Sequence, residues 1–227
     1  MDYWQVMKER HSVRAYAEQP ITGEVKEKLM SFTKSCCQES GLRLQMIFDE
    51  PTAFDCRLAR YGKFSGVRNY LVLAGKKERN LEERCGYYGE KIVLYAQSLG
   101  LNTCWAGLTY QKGRVPVSLT ASEKLCLVIA VGYGCTAGVP HRSKERSRVM
   151  KCAISPPTWF LRGVDAALLA PTALNQQKFL FSLEGDRVSV RAGHGFFTKV
   201  DLGIAKYHFE LGAGNDNFRW ADSCCVE

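Results

Sequence analysis

The sequence predicts an α+β fold that is internally duplicated, and three observations predict it. Helical and strand-like patterns alternate along the chain. The 227 residues are 46% hydrophobic, enough for one compact domain, or two small ones, with a real core. Residues 22–100 and about 155–220 run through one order of elements, helix, strand, strand, helix ending in Leu-Gly. That period is far longer than a solenoid unit. Chance alternation of helices and strands is the competing explanation.

The first clear helix follows Pro20, with Thr22 as N-cap, Glu24 near the positive end of the dipole, and Val25, Leu29, Phe32 and Cys36 on one stripe; it ends by Gly41. "LRLQMIF" puts Leu42, Leu44, Met46 and Phe48 on one face of a strand, and "NYLVLAG" at 69–75 suits a buried strand. Between them, 50–68 is a mixed connection. A long helix runs from about Glu82 to Leu99 with Gly100 as its stop. A short helix is expected around 113–123, and "KLCLVIAVGYG" at 124–134 belongs in the middle of a sheet. Residues 138–158 read as a linker. Beyond it come a helix (about 158–170), the strands "KFLFSL" and "RVSVRA" around a Glu184–Gly185–Asp186 turn, and a helix from Asp201, read as its cap, to the stop at Gly212 and Gly214.

The formal charge of +8 invites a nucleic-acid reading. The basic residues are scattered among acids, however, and only "HRSKERSR" at 141–148 is dense, which suits a small phosphate ligand better than a polynucleotide. Ten cysteines lack metal spacing, and the first residues lack an apolar signal core, so a reducing, cytoplasmic setting is expected. No apolar run approaches the roughly 20 residues that cross a bilayer, so neither membrane nor metal is expected.

In "RHSVR", Arg10, Ser12 and Arg14 alternate. In an extended segment they project to one side, where two guanidinium forks and a hydroxyl converge on one anion. Alone, the pattern is common by chance and reads as a solvated basic turn. Trp105, Tyr87, Tyr88 and Tyr95 read as core, and His208 as a packed or capping histidine. In "AALLAPTALNQQK" the uncharged Thr172, Asn175, Gln176 and Gln177 read as facing something neutral and hydrogen-bonding.

The surroundings of the clamp carry a resemblance. "RHSVRAYAEQPIT" before a helix, "YGEKIVLYAQSLGLNTCWAG", then an apolar strand ending in Val-Gly and a basic patch make residues 1–150 resemble the FMN-dependent nitroreductase family. The resemblance implies a nitroreductase-like fold, a central, mostly antiparallel sheet flanked by helices. It implies that Arg10, Ser12 and Arg14 hold the FMN phosphate and ring edge, with His11 inside the clamp, either near the flavin or filling space. Ala106 and Gly107 would run past flavin N5, and Lys63 would approach the pyrimidine. Arg142 and Lys144, with Arg146 a further candidate, would complete the phosphate site or else be a solubilising linker.

One family element is displaced. The "APSSxNxQPW"-like turn expected after the first helix is absent from "TKSCCQESG" and stands at 170–177 as "APTALNQQ". In ordinary members the flavin lies at a homodimer interface and the partner supplies this turn. The resemblance therefore implies a single-chain pseudo-dimer, similar to a short branch of the family. Residues 1–150 keep the clamp; 151–227 are a truncated second repeat contributing Pro171, Thr172, Ala173 and Asn175; together they form one compact unit, a monomer or weak homodimer. The implied activity is FMN-dependent, with NADH or NADPH as reductant and a nitroaromatic, quinone or other small molecule as acceptor, with ping-pong hydride transfer through N5 and no essential catalytic side chain. A flavin-binding protein with little turnover is the alternative, and an anion- or nucleic-acid-binding module a third.

Overall fold

The computed structural model describes residues 2–152 and 155–221. Helix α1 (Tyr3–Glu9), capped by the Asp2 carboxylate, leads into an extended segment and α2 (Gly23–Ser40). Then follow β1 (Arg43–Ile47), α3 (Arg57–Tyr61), β2 (Asn69–Lys76), α4 (Leu81–Ser98), β3 (Asn102–Ala106) and β4 (Glu123–Gly132). The second part of the chain has β5 (Met150–Cys152), α5 (Thr158–Leu168), β6 (Phe179–Glu184), β7 (Arg187–Ala192), α6 (Thr198–Ala213) and β8 (Arg219–Trp220).

The strands form two four-stranded sheets. The first, in the order β1-β2-β4-β3, is antiparallel throughout, and β4 lies inside it as its apolar run requires. The second, β5-β6-β7-β8, has an antiparallel β6–β7 hairpin with a parallel strand on either side. One face of the first sheet packs Leu44, Leu71, Leu73 and Ile129 against α2 and α4; the other packs Val72, Val128 and Ala130 against Phe54, Phe64 and Tyr110. The second sheet buries one face, Phe179, Phe181 and Val188, on α5 and α6.

Helices α4 and α6 join these two layers, and they pack on each other more extensively than any other pair of helices. They approach so closely that a Cβ on Gly86 would run into the Val200 carbonyl oxygen, and one on Gly203 into the Glu83 carbonyl oxygen and the Tyr87 amide. Glycine on both helices lets backbone meet backbone.

Several expectations need correction. Residues 113–123 hold only a 3-10 turn at Lys112–Arg114, because Pro116 removes a donor and pushes Val115 into extended conformation. The segment 138–158 is not a free linker, since it contains β5, paired with β6. Asp201 does not cap α6: the helix starts three residues earlier, after Phe197 in the left-handed region at φ 58, and Asp201 lies in its first turn. Helix α1, β3 and β8 carry patterns too short for periodicity to register.

The helix crossing yields a prediction. Gly203→Ala is expected to lower stability in urea denaturation by ~3 kcal/mol or more, as overpacking against immovable backbone. Gly113→Ala, which meets open space, should change it by less than ~0.5 kcal/mol. Equal effects would show that the crossing is not tight.

Candidate functional site

The site begins where α1 ends. The Arg10 amide donates to the Val6 carbonyl at 3.0 Å and closes the helix, after which the chain extends along β3, with Val13 N–H donating to the Thr103 carbonyl at 3.0 Å. Alternation buries Val13 in the core. Arg10, His11, Ser12 and Arg14 line a cleft of about 310 Å³ whose opposite wall is Pro140, His141 and, from the second part of the chain, Pro171, Thr172, Leu174 and Asn175. A smaller pocket of about 120 Å³ shares Ser12, Arg14, Pro171 and Thr172 with that cleft and is completed by Trp105, Ala106, Gly107, Ala173, Phe197 and Asp201.

The two ends differ electrostatically. At the larger end Arg10 is 3% exposed, its Nε has no hydrogen-bond partner, and its one ionic neighbour among the described residues is Glu90, with Nε 3.8 Å from Oε1. Burial pulls the Arg10 guanidinium below its ordinary range while Glu90 pushes it back up. His11 and His141 are both held below the usual imidazole value, first by burial, with Arg10 adding to it. With Arg10 and Arg14 in its wall, this end is suited to an anion. At the smaller end Gly107 lacks a Cβ, and the Phe197 ring lies against its backbone in the space a Cβ would fill. The Phe197 ring is thus one wall of the smaller pocket.

The turn at 171–177 is held by its own amides. Gln176 Nε2 donates to Asp201 Oδ2 at 2.7 Å and to the Phe196 carbonyl at 2.8 Å; Gln177 Nε2 donates to the Arg142 carbonyl at 2.8 Å and to Asn175 Oδ1 at 2.7 Å. Thr172 Oγ1 accepts the Gln177 N–H, and Asp201 Oδ1 the Ala173 N–H. The reading of these side chains as facing a ligand is therefore corrected: Gln176 and Gln177 tie the turn down, and Thr172 and Asn175, although they line the cavity with Pro171, Ala173 and Leu174, also spend their polar groups within the turn and on Arg142. Leu174, Asn175 and Gln177 have φ of 53, 53 and 42, a conformation residues with a Cβ seldom adopt. Burial outweighs these donors at Asp201 and pushes its carboxyl up to about 6.

Of the residues expected around the site, Arg10, His11, Ser12, Arg14, Ala106, Gly107, Pro171, Thr172, Ala173 and Asn175 come together. Lys63, Arg142 and Lys144 line neither cavity. Lys63 sits in the left-handed region in the α3–β2 connection. Lys144 Nζ donates to the Gln176 and Gln177 carbonyls, and the Arg142 carbonyl accepts from Asn175 and Gln177, because the turn's polar backbone needs partners. Arg146 pairs with Asp165. The basic patch thus braces the turn and contributes His141 to the cleft in place of the two cations. Sequence reasoning missed His141, Phe197 and the cleft-facing role of Asp201; only the position of His141 inside the patch gave a signal. Among the described residues no cluster suits a metal ion, and no helix is long and apolar enough to cross a membrane.

A sequence model of the family described as putative TM nitroreductase matches residues 2–213. The fold is similar to that of a putative nitroreductase from Thermotoga maritima, at 22% identity and a TM-score of 0.67 over 93% of this chain and 83% of that one. It is also similar to a putative nitroreductase from Desulfovibrio desulfuricans solved in complex with FMN, at 16% identity and a TM-score of 0.54 over 69% of this chain and 98% of that one. A putative NADH dehydrogenase/NAD(P)H nitroreductase from Parabacteroides distasonis overlays at 20% identity and a TM-score of 0.51, over 66% and 96% respectively. No curated protein matches.

Asp201 provides a check on the site. Because its folded-state pKa is raised, the unfolded chain ionises first, so stability is full below the usual carboxylate value and declines as pH rises from about 4 to about 6. The decline is expected to reach ~3 kcal/mol. In Asp201→Asn it should vanish; thermal midpoints that fall equally in both proteins between pH 4 and 6 would assign it elsewhere.

Proposed function

Because this chain belongs to the putative TM nitroreductase family, we propose that it is an FMN-dependent oxidoreductase that uses NADH or NADPH to reduce a small acceptor such as a nitroaromatic or quinone. One observation carries the cofactor reading: two guanidinium side chains, Arg10 and Arg14, line the cavity where the clamp segment meets the 171–177 turn. Arg10, Ser12 and Arg14 would hold the phosphate by charge-assisted hydrogen bonds. The slot at Ala106, Gly107 and Phe197 would take the ring, with Pro171, Thr172 and Ala173 closing over it. FMN, when bound, supplies the hydride and electron transfer. The chain's part is to bind, orient and exclude water; nicotinamide and acceptor would enter the same cleft in turn, giving ping-pong kinetics.

We also read residues 1–150 and 151–227 as two fused repeats, the second truncated, sharing one flavin site. Three features support this. The elements α2, β1, β2, α4 and α5, β6, β7, α6 follow one order, the equivalent helices α4 and α6 cross at glycines, and a whole chain of the Desulfovibrio protein overlays only 69% of this one. On this reading a monomer holds FMN. A flavin-binding protein with little turnover is the second reading, favoured by Phe197, whose ring already fills part of the slot over Gly107.

Titration with flavins tests the proposal. Replacing both Arg10 and Arg14 by alanine should weaken FMN by roughly 10²- to 10³-fold, the loss of two hydrogen bonds to a charged group, and riboflavin by less than about fivefold; equal losses would remove the clamp. Bleaching of the bound flavin by NADH or NADPH under argon separates an oxidoreductase from a flavin carrier. Asn175→Ala, which releases the Arg142 carbonyl and Gln177, is expected to weaken FMN and riboflavin alike by about tenfold. Parent-like binding of both by that variant would exclude the turn from the site.

A further inference from the structure

Beneath the clamp lies a group of charges that ligand binding does not reach directly. Glu90 of α4 and His208 of α6 are both fully buried. Glu90 Oε2 accepts the Trp105 indole N–H at 3.0 Å, and Oε1 lies 2.9 Å from His208 Nε2. The other ring nitrogen, Nδ1, lies 3.0 Å from the Ala166 carbonyl oxygen. A carbonyl oxygen only accepts, so Nδ1 carries a hydrogen. A neutral imidazole has no second hydrogen to set against Oε1, and a bare ring nitrogen facing a carboxylate at that distance in a dry interior is strongly unfavourable. A proton therefore lies between Nε2 and Oε1. Whichever atom holds it, as imidazolium with carboxylate or imidazole with carboxylic acid, the pair is neutral as a unit.

The consequence falls on Arg10. Its one ionic neighbour among the described residues is this same Glu90, whose two oxygens are already engaged by Trp105 and His208, which weakens its hold on Arg10. We propose that His208 is a positioning residue that draws down the charge of Glu90 through the shared proton, so that Glu90 compensates the buried Arg10 only in part and the guanidinium keeps charge for a ligand phosphate. The proposal rests on the flavin reading and assigns its phosphate selectivity to a residue on the opposite half of the chain that touches no ligand.

The balance gives opposite expectations for two substitutions. In His208→Gln the proton is lost, Glu90 stays ionised and neutralises Arg10, and the ratio of FMN to riboflavin affinity should fall at least tenfold. In Glu90→Gln the amide N–H can donate to Nε2 while Nδ1–H still donates to Ala166, so Arg10 keeps its charge for the phosphate and the ratio should stay within threefold of the parent. The double variant Glu90→Gln/His208→Gln should regain the parent ratio. A simple structural role for either residue would weaken both flavins equally and would not be reversed in the double variant.

Both dissociation constants would be measured by flavin fluorescence quenching on the full chain. An unchanged ratio in His208→Gln, or a double variant that stays low, overturns the proposal. If His208→Gln does not fold, a tenfold rise of the ratio in Glu90→Gln overturns it too, since that would make Glu90 an ionic partner of Arg10 in the parent. A parent that binds neither flavin overturns the flavin reading itself, whereas a parent that binds both, with ratios indifferent to these variants, overturns only the role of His208.

Discussion

The crossing of α4 and α6 at Gly86 and Gly203 is the constraint on which the arrangement depends. Backbone contact at that point leaves no room for the helices to slide or separate. It fixes Glu90, one turn beyond Gly86, opposite His208, five residues beyond Gly203, so that a carboxylate and an imidazole meet in the dry space between the two layers. It also presents the first turns of α6, with Val200, Asp201 and Ile204, to the pocket built by β3. Each wall of the cavity is thus referred to one rigid contact, although the residues that line it lie more than 150 positions apart in the chain.

The cavity's other wall is held by strain rather than by regular structure. Leu174, Asn175 and Phe197 all adopt left-handed backbone conformations, each at a cost on the order of 1 kcal/mol, and all three face the cavity. The compensating bonds come from Gln176 to Asp201, from Gln177 to Arg142 and from Lys144 to two carbonyls of the turn. Leu174 is nevertheless 93% exposed. A conformation that places an apolar side chain in water at the mouth of a cleft, against backbone preference, is what a binding surface looks like and what folding alone does not favour.

Much of the fold was legible because its signals are local. The stripe of Leu29 and Cys36, the alternation of Leu42, Leu44 and Met46, and the apolar runs of β2 and β4 declare their partners by period and burial. The alternation that buries Val13 and sets Ser12 and Arg14 on the cleft was legible too, as was the break in the chain at Pro171. What could not be read was chosen by tertiary partners. Glu90 is one acid in an otherwise ordinary helix, and nothing in the sequence says that an indole and an imidazole from elsewhere will close on it. Arg142 and Lys144 look like anion ligands by charge, but the Lys144 ammonium donates to two carbonyls of the turn, and Arg142 meets the turn through its backbone carbonyl, which accepts from Asn175 and Gln177. Asp201 has the composition of a cap and the position of a brace, a distinction made by the three residues by which α6 begins early.

These placements give the cleft a direction. Arg10, His11 and His141 stand at one end and Arg14 borders both cavities, whereas the other end carries Asp201, whose carboxyl is pushed up to about 6. An elongated ligand with an anionic terminus and a neutral aromatic body is attracted at one end, while reversing it would bring its charge toward a carboxylate and its ring toward guanidinium groups. With opposite signs at the two ends of one low-dielectric channel, orientation is fixed before any shape-specific contact forms. The overall charge of +8 therefore matters less for affinity than its distribution, with the buried Arg10 at one end and the buried acid Asp201 at the other.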